Sequence, residues 1–301
     1  MSSISYIRKR PSTPIFASGI LKIMELFVNL IIFIFGASIG SFLNVLIDRL
    51  PNDESINGRS HCDFCGKKLN WYDMFPVISF FVLKGKTRCC GKKLSWQYPL
   101  IEFITGFAFV LITNNRIPIT KQLSMINLQI TNVWILNNWS LFVTWLLFLG
   151  ISSCLIVIFI SDLKYRLISD YILLALFVFT LVFNLTTNFN EFQRISTNFI
   201  LSGLVVALPI FLIYFISRER AMGLGDVYLS AIMGFLLGWQ AGFIALYIAF
   251  VTGAIFGLFI IIFKNKKLKS KIAFGPFLVI GTVVMLFWGE RILEIIKKIY
   301  G

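Results

Sequence analysis

Leu155-Ile156-Val157-Ile158-Phe159-Ile160-Ser161-Asp162 closes one long apolar run with an acid, and Gly223-Leu224-Gly225-Asp226 opens another. Crossing a bilayer core takes roughly 20 apolar residues. An ionisable group at the edge of such a segment is costly and is as a rule functional. Two aspartates at one membrane face, each at the end of a hydrophobic helix, would form a pair able to turn water on a peptide bond.

The rest of the chain agrees with that setting. It has 301 residues, 57% of them hydrophobic and only 14% charged, with a mean hydropathy of +0.83. Soluble domains carry far more charge. The expected class is an all-α polytopic membrane protein, with the lipid bilayer as a partner. The net charge of +14 would point to nucleic acid in a soluble chain. Here it reads as basic loops that hold helices on the cytoplasmic side, and no nucleic-acid partner is expected.

About eight transmembrane helices are expected, at 24–47, 100–113, 139–161, 168–187, 196–216, 227–238, 241–263 and 273–290. The second and sixth are short, which fits tilted, partly buried or re-entrant segments. Residues 1–23 carry Arg8, Lys9, Arg10 and Lys22 without a signal-peptide pattern. They read as an N-terminal extension, with Met24 as an alternative start. Residues 48–99 form a polar insert, and residues 100–301 form the membrane core. For the apolar link 114–138, a short hairpin and an interfacial helix both fit.

Eight spans put 48–99, 162–167, 217–226 and 264–272 on one side. Those loops hold eighteen Lys and Arg, against ten elsewhere. The positive-inside rule places the insert, Asp162 and Asp226 at the cytoplasmic face.

Like charges held close cannot both ionise, so one carboxylate of such a pair stays neutral and its partner stays basic. The basic one takes a proton from water, and the neutral one protonates the scissile carbonyl. The substrate helix must first unwind, because its backbone bonds are satisfied internally. Gly223 and Gly225, without side chains, would let a substrate strand approach and would permit unusual dihedrals. The plainer reading is a glycine turn with Asp226 starting a helix. Gly36 and Gly40, four apart, allow close helix packing.

The insert holds His61-Cys62-Asp-Phe-Cys65-Gly-Lys-Lys-Leu-Asn-Trp71, answered by Arg88-Cys89-Cys90-Gly-Lys-Lys-Leu-Ser-Trp96. Paired knuckles of this kind read as a zinc ribbon, with Cys62, Cys65, Cys89 and Cys90 as ligands and structural zinc as the cofactor. A module this small needs such a staple. The adjacent Cys89 and Cys90 break the Cys-x-x-Cys pattern, and Thr87 stands where the missing thiol would be. His61 in place of Cys89, or a metal-free packed knuckle, are the alternatives. Cys154 reads as a buried packing residue.

These residues resemble the bacterial type IV prepilin peptidases, also called prepilin leader peptidases, a family of membrane aspartic peptidases. The resemblance covers about residues 24–290. It rests on Gly40-Ser-Phe-Leu-Asn44-Val with Arg49-Leu-Pro51, the cysteine insert with Trp71-Tyr72-Asp73 and Tyr98-Pro99-Leu-Ile-Glu102, Asp162 with Arg166-Leu-Ile, Gly223-Leu-Gly-Asp226-Val, and Phe274-Gly275-Pro276-Phe277.

The resemblance implies that Asp162 and Asp226 are the catalytic pair. Substrates would be type IV prepilin or pseudopilin precursors, with a short basic leader, a Gly before the cut and an apolar helix after it. It also implies N-methylation of the new N-terminus from S-adenosylmethionine, associated with the insert, and a place in the bacterial inner membrane. Thr87, Ser169, Tyr228 and Ala273 depart from the family's Cys, Pro, Lys and Pro.

Glu102, at the start of the second span, reads as a substrate-orienting acid or as an interfacial acid facing headgroups. Two other readings compete: a presenilin-like intramembrane protease, against which the insert argues, and a carboxylate-dependent proton or cation transporter.

Overall fold

The structure is a computed structural model. It describes residues 15–52, 54–56, 58, 60–62, 64–114, 133–187, 192–220, 222–264 and 273–300. The helices are α1 (Ile15–Arg49), the short α2 (Ile78–Val82) in the insert, α3 (Gln97–Asn114), α4 (Val133–Tyr165), α5 (Asp170–Thr187), α6 (Phe192–Ser217), α7 (Leu224–Leu237), α8 (Trp239–Lys264) and α9 (Gly275–Tyr300). Among the described residues there is no strand, only two isolated β-bridges in the insert.

The protein is an all-α polytopic membrane protein. Among the described residues, five helices, α1, α4, α5, α6 and α8, are long and apolar enough to cross a bilayer. Large apolar side chains point away from the bundle, with Phe215, Tyr247, Ile262 and Phe263 each about 70% exposed. A water-facing surface does not carry so much apolar area.

The eight expected spans fall on the eight longer helices, of which five have the length and apolar character to cross a bilayer, and two differ in extent. Helix α1 runs without a break from Ile15 through Met24 to Arg49, so its helical part starts before the expected span. Residues 1–14 and most of the 114–138 link lie outside the described residues. Helix α7 has 14 residues, or roughly 21 Å at 1.5 Å per residue, too short to span. It is buried along most of its length, packed among α5, α6, α8 and α9.

Glycines set the close approaches. A Cβ on Gly36 would lie 2.9 Å from the Gly106 Cα, and one on Gly40 would lie 2.7 Å from the Glu102 Cα. That clamps α1 on α3 as the four-residue spacing predicts. A Cβ on Gly234 of α7 would lie 2.7 Å from the Ser202 carbonyl of α6. Helix α9 packs on α4, α7 and α8. Its first residue therefore sits where α4 ends and α7 begins, and the site is built there.

Candidate active site and cysteine centre

Asp162 lies in the last turn of α4. The Arg166 N–H donates to the Asp162 carbonyl (2.9 Å), and Arg166 adopts φ +57°, which ends the helix. The Ser161 hydroxyl donates to the Leu167 carbonyl (3.0 Å) and pulls the connection back over the helix end. The chain restarts as α5 with the Ser169 carbonyl accepting from Ile172 and Leu173 (both 3.1 Å). This tight return places the Ile168 side chain against both glycine-led helix starts. A Cβ on Gly225 would lie 3.1 Å from the Ile168 Cβ, and one on Gly275 would lie 3.2 Å from its Cδ1.

The two acids belong to the helix ends that converge on that isoleucine. Asp162 and Asp226 are 5% and 9% exposed, and the charge of Asp162 acts on Asp226. Each is held by a backbone amide at a helix start. The Gly275 N–H donates to Asp162 Oδ2 (2.9 Å), and the Gly223 N–H donates to Asp226 Oδ2 (3.3 Å). Amides at helix N-termini favour negative charge. Any side chain at 275 would strike Asp162, since a Cβ there would lie 2.6 Å from Oδ2.

Gly225 and Gly223 differ from the sequence expectation in their reason. Gly223 has φ −88° and ψ 163°, extended backbone that any residue adopts, so unusual dihedrals are not its purpose. What it leaves is room: a Cβ there would have its nearest neighbour at 4.0 Å. Gly225 is needed for space against Ile168.

Glu102 lies elsewhere, under the insert. It is 8% exposed; its Oε2 accepts the Val77 N–H (2.6 Å), and its carboxylate also pairs with Ser41. Val77 has φ +61° and starts α2. In the structure Glu102 ties the insert to α3.

The sequence reading gave no role to Gly275 or to Asp48. Asp48 Oδ1 accepts from Lys164 Nζ (2.6 Å) and the Tyr165 hydroxyl (3.1 Å), and Oδ2 accepts from the Tyr98 hydroxyl (3.0 Å). One carboxylate thereby joins α1, α3 and the end of α4 that carries Asp162. The Phe274-Gly275-Pro276-Phe277 motif was the available signal for Gly275; Asp48 left none.

The insert is built from two copies of one knuckle, offset by 25 positions. Cys62 N–H donates to the Lys67 carbonyl (2.9 Å) and Gly66 N–H to the Cys62 carbonyl (2.9 Å); Thr87 N–H donates to Lys92 (2.8 Å) and Gly91 N–H to Thr87 (2.9 Å). Gly66 and Gly91 have φ +66° and +67°, which glycine adopts without strain. The bridges His61 to Lys68 and Lys86 to Lys93 repeat the register. Thr87 therefore occupies the position of Cys62, and Cys89 supplies the second thiol from two residues further on.

The four sulfurs lie within 4.8 Å of one another. Neighbouring separations are 3.2 Å (Cys65–Cys89), 3.8 Å (Cys62–Cys90) and 3.9 Å (Cys89–Cys90). Tetrahedral zinc with Zn–S bonds of about 2.3 Å sets sulfurs roughly 3.8 Å apart, so the donor set fits zinc despite the adjacent pair. Hydrogen bonds with Cys65 and Cys62 push the Cys89 thiol up to about 12. The Thr87 hydroxyl, then the Lys92 amide, bring Cys90 down to about 7.

Two buried, amide-held aspartates at one end of a multi-pass helical bundle are an arrangement suited to a membrane aspartic peptidase. The comparisons agree. Residues 34–115 match the model of the bacterial peptidase A24 N-terminal domain, and residues 149–258 match that of the type IV leader peptidase family. A prepilin leader peptidase/N-methyltransferase of Aeromonas salmonicida (strain A449) is 29% identical over 288 residues, 87% of this chain and 91% of that one. The protein of the same name from Pectobacterium carotovorum subsp. carotovorum is 30% identical over 279 residues, 83% and 89%. That of Bacillus subtilis (strain 168) is 26% identical over 273 residues, 89% and 97%. No solved structure matches. The chain belongs to the type IV leader peptidase family.

Proposed function

We propose that the protein removes the basic leader from type IV prepilin-like precursors at the cytoplasmic face of the bacterial inner membrane, and then methylates the new N-terminus. The observation that supports this reading is that Asp162 and Asp226, each on its own amide, lie at the shared end of α4, α7 and α9, with the charge of one acting on the other.

The two carboxylates share one proton. The unprotonated one takes a proton from water as the water oxygen bonds to the scissile carbonyl carbon, while the protonated one gives its proton to the carbonyl oxygen. Collapse of the tetrahedral species breaks the C–N bond, and the departing amine takes a proton from the pair. The pair acts as a unit, so neither role belongs to a named residue. The open space at Gly223 takes the unwound stretch around the cut, and Gly225 keeps Ile168 and Asp226 in register.

Cys62, Cys65, Cys89 and Cys90 would hold a structural zinc, which would supply a fold-stabilising cross-link between the two knuckles. When bound, S-adenosylmethionine would supply a methyl group to the new amine and leave as the uncharged thioether, the displaced amine proton passing to water. The insert and α1 carry that second activity, and residues 100–301 carry cleavage.

The test is mass spectrometry of a prepilin co-expressed with the protein. The expected product lacks its leader up to the Gly and carries one methyl on the new amine. An intact precursor rejects the peptidase reading; a cleaved but unmodified amine rejects methylation for that substrate.

A further inference from the structure

A cavity of about 470 Å³ lies between α1, α3 and the insert, a volume in the range of small-molecule sites. Asn44 lines it and is 2% exposed. Its side-chain nitrogen donates to the carbonyls of Gly40 (3.3 Å) and Tyr98 (3.2 Å), yet its Oδ1 is buried without a partner. Buried acceptors are paired as a rule, so an exception calls for a ligand or an explanation. Beside it the buried carboxylate of Glu102 also lines the cavity, with Asp48, Glu54 and Asp73. Of the lining charges, Arg88 is tied to Asp73 at 2.8 Å and Asp48 to Lys164 at 2.6 Å, which leaves Arg49 against Glu54 and Glu102. Phe42 and Phe80 supply apolar walls.

A site of this size, acidic within and apolar on its sides, fits a positively charged molecule with a flat aromatic part. Its position matters as much. Asp48 lines the cavity and bonds Lys164 and Tyr165, the second and third residues after Asp162. One carboxylate therefore links the cavity to the helix end that carries Asp162. We infer that this cavity is the site of S-adenosylmethionine, with the sulfonium facing Glu102 and Asn44, and Arg49 meeting the amino-acid carboxylate. The inference rests on the methylation proposed above and places its donor next to the point where the new amine is released.

The test uses the full chain in lipid nanodiscs. Labelled S-adenosylmethionine should bind once per chain, at least tenfold tighter than uncharged-sulfur S-adenosylhomocysteine. Ser79, a small lining residue on α2 with no part in the acid pair, is the place to fill the cavity. Ser79→Trp should weaken binding at least tenfold, with leader removal within about twofold of wild type. Should that variant fail to fold, ultraviolet crosslinking of the label to wild type decides: label within 38–49 or 76–102 supports the site. Label confined to 192–264, equal binding of the two ligands, undiminished binding to a folded Ser79→Trp variant, or full displacement by a synthetic basic leader peptide each overturns it. A wild-type chain that neither binds the donor nor methylates defeats the methylation reading itself. One that methylates, with donor affinity untouched by Ser79→Trp and label elsewhere, defeats the cavity alone.

Discussion

The acid pair and the cysteine insert are held by different means. Around Asp162 and Asp226, three helix ends converge, backbone amides fix each carboxylate, and buried Ile158, Leu229 and Leu278 belong to the packed core. The insert has two short knuckles, Phe80 as the one buried aromatic among its described residues, tilted at 57° to Trp96 with ring centroids 4.9 Å apart, and four clustered thiols. The bundle holds its site by packing; the insert has little core of its own, and the proposed zinc on its four thiols would hold its shape. Damage should therefore spread differently: a steric change at the pair stops cleavage in an intact fold, and loss of the metal loosens the insert while the pair survives.

The largest expected effect comes from Gly275→Val. Its Cβ has no room beside Asp162 Oδ2, so cleavage should fall at least a hundredfold, about 2.7 kcal/mol of barrier, with the protein still in the membrane. Near-normal cleavage would break the comparison on the bundle side.

Next comes Cys90→Ser. Metal analysis should drop from about one zinc per chain to nearly none, and proteolysis should cut the insert, while leader removal stays within about fivefold. Equal loss of cleavage would show the two regions are not separable.

The knuckle register gives a sharper form of the same test. Cys89→Ser should lose zinc, and adding Thr87→Cys to that variant should restore it, because position 87 sits where Cys62 sits in the first knuckle. Failure of the pair to recover metal would contradict the duplicated geometry.

The smallest effect is expected from Asp48→Asn. Lys164 is 40% exposed and Asp48 25%, so solvent screens the pair and its loss should cost no more than about 1 kcal/mol. Cleavage should change less than threefold. A larger loss would mean that the insert side sets the position of Asp162.

The helices and the acid pair were legible in the sequence because lipid forces both into plain pattern: long apolar runs, and acids that stand out against them. Other features depend on chain crossings that no local pattern records. The depth of α7 follows from four helices around it, although its brevity showed. Gly275 matters through an oxygen 113 positions away. Glu102 read as an acid at the membrane edge, and only the fold joins it to the Val77 amide. The adjacent Cys89 and Cys90 looked unfavourable for zinc because sequence spacing does not show that Thr87 keeps the knuckle's backbone while Cys89 supplies its sulfur.

The most direct measurement is leader removal by Asp162→Asn and by Asp226→Asn, each co-expressed with a prepilin and checked for membrane insertion. Each single change is predicted to leave the precursor uncut, because neither acid can work without the other. Complete processing by either inserted variant would contradict the account.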